Sequence, residues 1–193
     1  MGFGMDGIVL FVFGIPVWVV YRIIARVMKE NDVGWISTEM LYGVFYLYAL
    51  SVCSLTLFPF YIDNYMPLAN RMRGNFIPFL NTIRDIIRSN KSQFMQLFWV
   101  KNILGNIIIL LPLGILLPLV HKKYDNVLKT TLFGFSISLS IELIQFVSVL
   151  VGNNGRVFDV DDIIFNVFGV FLGATIYKKL SHKFSVIKFE HSA

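Results

Sequence analysis

Five long apolar stretches constrain the fold of this chain more than any other feature of its sequence. They run roughly over residues 7–28, 40–58, 99–120, 130–151 and 158–177, and a helix needs about 20 mostly apolar residues to cross a bilayer. Only 15% of the 193 residues are charged, whereas soluble domains carry about 25%. The sequence therefore predicts an all-α polytopic membrane protein with about five transmembrane helices in a single domain, residues 1–193.

The basic residues indicate how the chain is oriented. The net charge of +5 is spread between the apolar stretches, which favours membrane topology over nucleic-acid binding. Lys and Arg residues close to the span ends are typical of the cytoplasmic side, so we expect an outer N-terminus and a cytoplasmic C-terminus. The cytoplasmic set comprises Arg22, Arg26, Lys29, Lys122, Lys123, Lys129, Lys178, Lys179, Lys183 and Lys188.

The connection over residues 60–98 is predicted to hold an amphipathic helix that lies in the outer membrane interface. Its apolar face comprises Ile83, Ile86, Ile87, Phe94, Leu97 and Phe98, and the opposite face carries Arg84, Arg88 and Lys91. The preceding segment NFIPFLNT, residues 75–82, is apolar but contains Pro78. We expect this segment to dip into the membrane, which requires protein or water to satisfy its backbone.

Three of the spans carry polar side chains at a similar predicted depth. The turn-forming GNNGR at residues 152–156 joins the last two spans as an antiparallel hairpin. At 1.5 Å per residue, Glu142 and Asn166 both lie about 12 Å below the outer surface, and Asn106 about 10 Å. The sequence therefore predicts a site in the outer half of the bilayer. The residues expected to meet there are Asn102, Asn106, Glu142, Gln145, Asp162 and Asn166.

One stripe of the last span combines polar and small residues. Asp159, Asp162, Asn166, Gly169 and Gly173 follow steps of three and four, so they share one face of a helix. Asp162 is interpreted as functional because it is deeper than Asp159 and on the same stripe as Asn166. The two glycines form a small-xxx-small pair that predicts close helix contact.

The acidic residues also have structural interpretations. Carboxylates at the start of a helix cap its free N–H groups, and we expect this role for Asp159 and Asp161. Glu142 either carries a function or joins helices as a glutamic acid bonded to Gln145 or Asn106.

Four pieces in order, FIPFLNT, NILGNIIILLPLGILLP, SLSIELIQ and RVFDVDDIIFNVFGVFLG, resemble the VanZ-like family of bacterial membrane proteins. The resemblance covers residues 75–173. It implies a multi-pass protein of the bacterial cytoplasmic membrane and a role in the cell envelope, since the founding member lowers susceptibility to the glycopeptide antibiotic teicoplanin. The family pattern falls on Pro78, Asn81, Asn102, Asn106, Pro112, Gly114, Glu142, Gln145, Arg156, Asp159, Asp162, Asn166, Gly169 and Gly173.

Several functions are compatible with these residues. The leading hypothesis is a protein that binds a membrane lipid or a lipid-linked cell-wall precursor through its anionic headgroup, or changes access to the outer leaflet. Arg156 would then be the counter-charge for a phosphate. The predicted ligand-binding residues are Asn81, Asn102, Asn106, Glu142, Gln145, Arg156, Asp159, Asp162 and Asn166.

Two other hypotheses stay open. One is a membrane-embedded enzyme acting on a phospholipid or polyprenyl-phosphate headgroup. Asp159 and Asp162 would hold a divalent cation such as Mg²⁺, and Glu142 and Asp162 would be the catalytic residues. The other is a proton-coupled lipid transporter that uses Glu142.

Overall fold

A computed structural model of the protein describes residues 3–27, 35–62, 74–88, 93–150 and 158–190. Helices account for nearly all of this part of the chain. They are α1 (Ile8–Val27), α2 (Trp35–Leu57), α3 (Leu80–Arg88), α4 (Gln93–Val120), α5 (Val127–Leu150) and α6 (Val160–Glu190), with a short 3₁₀ turn at Lys122–Tyr124. The strands are β1 (Phe3–Met5), β2 (Phe60–Ile62), β3 (Gly74–Asn75) and β4 (Phe158–Asp159).

The predicted fold class is confirmed. Five helices are long and apolar enough to cross a membrane: Ile8–Ala25, Glu39–Leu57, Leu97–Val120, Val127–Leu150 and Val160–His182. Their order and lengths agree with the five apolar stretches of the sequence. These helices indicate a multi-pass membrane protein.

The residues of the predicted apolar face lie in two described helices. Ile83, Ile86 and Ile87 belong to α3, which ends at Arg88, and Phe94, Leu97 and Phe98 belong to α4, which begins at Gln93. Residues 89–92 lie outside the described residues, so a single helix over the whole predicted face stays a prediction.

The chain forms two compact units, residues 1–72 with 147–156 and residues 73–146 with 157–193. In the first, α1 and α2 run antiparallel, with Trp18 stacked on Tyr46 at a centroid distance of 4.5 Å. Arg22 forms an ion pair with Glu39 and lies over the ring of Tyr42. Glu39 therefore provides the counter-charge that a cation within an apolar helix requires.

The second unit contains three packed spans. The Ile107 carbonyl lies against Gly169 and the Leu111 carbonyl against Gly173, so α4 and α6 run parallel. A Cβ at either glycine would lie 2.1 Å from the facing carbonyl oxygen. The close helix contact predicted from the small-xxx-small pair is thus confirmed.

Helix α5 runs antiparallel to α6. Gly134 of α5 lies against Val170 of α6. Ser138, four residues after Gly134, accepts a hydrogen bond from Asn166, four residues before Val170. This register confirms the predicted hairpin arrangement of the last two spans. The residues that join them, 151–157, lie outside the described residues.

Candidate functional site

The polar side chains of the second unit gather where α6 begins. Strand β3 pairs in parallel with β4, which directly precedes α6, so that Asn75 lies beside Asp159. This pairing brings the segment of residues 75–82 against the first turn of α6. We call the groups that meet there the polar cluster: Asn75, Thr82, Asn106, Glu142, Asp159, Asp161 and Asp162.

Asp161 anchors the segment of residues 75–82. Its side chain is only 1% exposed, and its carboxylate accepts hydrogen bonds from the Thr82 hydroxyl, the Phe79 backbone N–H at 2.7 Å and the Asn75 amide at 3.3 Å. None of its hydrogen bonds within the described part of the chain comes from a backbone N–H of α6. The prediction of helix capping is therefore wrong for Asp161, which instead fixes a separate segment to the helix.

The anchored segment contains a tight turn with an unusual backbone conformation. The Leu80 N–H donates to the Ile77 carbonyl, Pro78 is the second residue of the turn, and Phe79 has a φ of 60°. Proline at the second position and a positive φ at the third are typical of a type II turn. A bulky residue rarely adopts this φ. The hydrogen bond from the Phe79 N–H to the Asp161 carboxylate offsets part of the conformational cost.

Asp159 caps α6, as predicted. Its Oδ1 accepts from the Asp161 N–H at 2.9 Å and from the Asn75 amide at 2.9 Å. Burial raises the pKa of the Asp159 carboxyl above its ordinary value, although the hydrogen bonds from Asp161 and Asn75 oppose this shift. The fold therefore favours the protonated form of this group more than water does.

Glu142 closes the cluster from the side of α5. It is 1% exposed, and its Oε2 accepts the backbone N–H of Asp159 at 3.0 Å. Counting along the helices places Glu142 level with Asn166, but Asn166 bonds to Ser138, one turn deeper on α5. The depth prediction is wrong by about one turn. Phe158 and Asp159 form the extended strand β4, which rises about 3.3 Å per residue, whereas the count assumed the roughly 1.5 Å of a helix, so Asn166 lies deeper than predicted.

The remaining predicted residues differ in how they join the cluster. Asn106 donates to Asp162 and links α4 to α6. Gln145 is buried, and Asn102 is half-buried on α4. The side chain of Asn81, and Arg156 altogether, lie outside the described residues.

A metal site at Asp159 and Asp162 stays a prediction. Within the described ranges, no group of three or more His, Cys, Asp or Glu side chains is placed to hold a metal ion. A site completed by lipid phosphate oxygens or water would need fewer protein ligands. Asp159 and Asp162 are both half-buried, whereas Asp161 is almost fully buried.

An open groove of about 580 Å³ lies beside the polar cluster, and we call it the apolar groove. It is formed by the anchored turn and α3. Its lining residues are Ile77, Pro78, Phe79, Leu80, Ile83, Arg84 and Ile87. All of them are apolar except Arg84.

Several contributing residues are not among the site residues predicted from the sequence. They are Asn75, Thr82, Ser138 and Asp161. Asn75 and Thr82 are the two ends of NFIPFLNT. The available signal was a short apolar segment with a polar residue at each end, near a predicted stripe of carboxylates. Ser138 was not distinguished from the other serines of α5, because a serine in an apolar helix commonly bonds to its own backbone, as Ser136 and Ser140 do.

Comparison with known proteins places the chain in a family. No curated protein and no solved structure matches it. A family model described as VanZ/LLP1 matches residues 45–182, a range that includes α4, α5, the polar cluster and the apolar part of α6, as well as most of α2. The matched range also includes all of residues 75–173, which carry the sequence resemblance. The chain therefore belongs to the VanZ/LLP1 family.

Proposed function

We propose that this protein binds a membrane lipid or a lipid-linked cell-wall precursor in the bacterial cytoplasmic membrane. Through this binding it would change access to the outer leaflet and lower susceptibility to acylated glycopeptides such as teicoplanin. The observation that supports this proposal is the polar cluster at the start of α6, where side chains from three spans and the anchored turn converge.

The chemistry of the cluster fits a headgroup. Asn106, Asp159 and Asp162 are half-buried, and carboxylate and amide oxygens accept hydrogen bonds from the hydroxyl and amide groups of glycerol or sugar headgroups. The phosphate needs a cation, and Arg156 is the residue predicted to supply it. Because Asp161 and Glu142 are held by backbone N–H groups, the cluster is preorganised, which lowers the cost of binding.

Replacement of Glu142 by glutamine tests the role of this buried carboxylate. The amide oxygen of glutamine still accepts the Asp159 N–H, so we expect Glu142→Gln to keep its fold and its expression. We expect the variant to lose protection against teicoplanin and most of its co-purifying lipid. The measurements are drug susceptibility at matched protein levels and mass spectrometry of the extracted lipids.

A suitable control for this variant is Asp125→Asn. Asp125 is an exposed carboxylate that pairs with Lys178 at 3.0 Å, so this change also removes one negative charge but leaves the polar cluster intact. Undiminished protection and lipid content in Glu142→Gln would show that Glu142 only joins helices.

The proposal also requires a defined orientation, with the N-terminus outside and the C-terminus in the cytoplasm. We expect a cysteine at position 154 to react with a membrane-impermeant maleimide on intact cells, and a cysteine at position 182 to react only after lysis. Both changes, Asn154→Cys and His182→Cys, are made in a Cys53→Ala background, since Cys53 is the only native cysteine. Labelling of position 182 without position 154 on intact cells would reverse the orientation.

Two alternatives remain predictions. A metal-assisted enzyme would use Asp159 and Asp162 as metal ligands, with Glu142 and Asp162 as catalytic residues. A proton-coupled lipid transporter would use Glu142.

A further inference from the structure

We propose that the apolar groove binds one acyl chain of an anionic phospholipid and that Arg84 binds its phosphate. The inference deepens the proposed function, on which it rests, by assigning the apolar part of the lipid and its phosphate to particular residues. It also makes Arg84 a ligand-binding residue, in addition to those predicted from the sequence.

The size and lining of the groove suit an acyl chain. Its volume of about 580 Å³ is within the roughly 300–1,000 Å³ of small-ligand sites. Ile83 and Ile87 are one helical turn apart, so they present neighbouring side chains along the groove. Both are exposed, Ile87 to 69%, which leaves a large apolar surface available to a lipid.

The position of the groove places an acyl chain close to headgroups. Thr82 of α3 bonds to Asp161 in the first turn of α6, and the apolar span of α6 begins at Val160. The groove therefore lies level with one end of this span. In a bilayer, such an end is the boundary between the hydrocarbon core and the headgroups.

Arg84 explains why the lipid would be anionic. Its side chain is exposed, and no hydrogen bond or ion pair joins it to another residue in the described part of the chain. A guanidinium group donates two parallel hydrogen bonds to a phosphate. Apolar walls alone attract any lipid, but a cation at the rim selects a negative headgroup.

The experiment measures which lipid the protein retains. The full-length protein is reconstituted in vesicles of equal amounts of phosphatidylglycerol and phosphatidylcholine, extracted in mild detergent, and examined by native mass spectrometry. We expect the wild type to retain phosphatidylglycerol in preference to phosphatidylcholine. Arg84→Gln should retain the two lipids in nearly equal amounts, and Arg84→Lys should keep part of the preference. Ile87→Trp, which fills the groove, should retain much less of both.

Two matched variants control for general effects of charge and bulk. Lys101→Gln removes an exposed cation from α4, and Ile108→Trp adds bulk at a side chain of α4 that is 61% exposed. Both should behave as the wild type. If the wild type retains no lipid selectively, the proposed function and this inference both fail.

A different result would overturn the inference alone. In that result the wild type retains phosphatidylglycerol selectively, and both Arg84→Gln and Ile87→Trp retain it as the wild type does. The lipid would then bind elsewhere on the protein. If Arg84→Gln does not fold, Ile87→Trp compared with Ile108→Trp decides the same question.

Discussion

A Gly169→Ala variant is expected to lose about 3 kcal/mol of stability, because overpacking of a tight interface costs roughly 1–3 kcal/mol and a backbone atom yields least. The added Cβ would lie 2.1 Å from the carbonyl oxygen of Ile107 and 2.9 Å from its carbonyl carbon. No rotation of a side chain can relieve this contact, so α4 and α6 must separate. The measurement is the melting temperature in detergent, together with the yield of monodisperse protein in size-exclusion chromatography.

Gly105→Ala provides the control for this prediction. Gly105 lies in α4, the helix that faces Gly169, but a Cβ there meets nothing within 4 Å, so the same chemical change should be nearly neutral. Gly173→Ala should resemble Gly169→Ala, since its Cβ would lie 2.1 Å from the Leu111 carbonyl oxygen. Equal melting temperatures for the Gly105 and Gly169 variants would show that the two helices are not held at this distance.

The contact between these helices also positions the polar cluster. Asn106 lies directly before Ile107, and Asp162 lies two turns before Gly169. The glycine contacts allow the two backbones to approach closely, and the short Asn106 and Asp162 side chains can then bond to each other. Separation of α4 and α6 would lengthen this bond, so we expect Gly169→Ala also to impair lipid binding.

The elements that sequence reasoning predicted correctly are those with a local or periodic cause. The spans follow from the length of each apolar stretch, because a bilayer demands about 20 apolar residues whatever the partners are. The contacts of Gly169 and Gly173 follow from a spacing of four, which places both on one face of a helix. The cap at Asp159 follows from its position before the first turn of α6.

The features that sequence reasoning missed depend on distant parts of the chain. The carboxylate of Asp161 receives its hydrogen bonds from residues about 80 positions away, and no spacing within α6 identifies those donors. The depth of Asn166 depends on where α6 begins, and this follows from the pairing of β4 with β3. Two-residue strands of this kind leave no periodic pattern in a sequence.

The second large effect is expected for Asp161→Asn, which should lower the free energy of unfolding by about 3 kcal/mol. The reason is that a buried charge-assisted acceptor is replaced by a donor. The wild-type carboxylate offers both oxygens to the Phe79 N–H, the Thr82 hydroxyl and the Asn75 amide. Asparagine offers one oxygen, and its NH₂ group faces a neighbouring donor. We expect the segment of residues 75–84 to detach from α6, with faster hydrogen exchange at Phe79 and its neighbours.

Controls separate this local effect from general loss of a charge. Asp125→Asn removes an exposed carboxylate and should change stability by less than about 1 kcal/mol. Thr82→Val removes one of the donors to Asp161. In combination with Asp161→Asn it should lower the free energy of unfolding by less than the sum of the two single changes, because both act on one network.

If Asp161→Asn has the same melting temperature as the wild type, and hydrogen exchange in residues 75–84 is unchanged, Asp161 does not hold the turn. Contacts other than those of Asp161 would then hold the apolar groove, which this turn helps to form. If the prediction holds, Asp161→Asn should also lose the preference for phosphatidylglycerol, since the groove depends on the anchored turn although Asp161 itself does not line it.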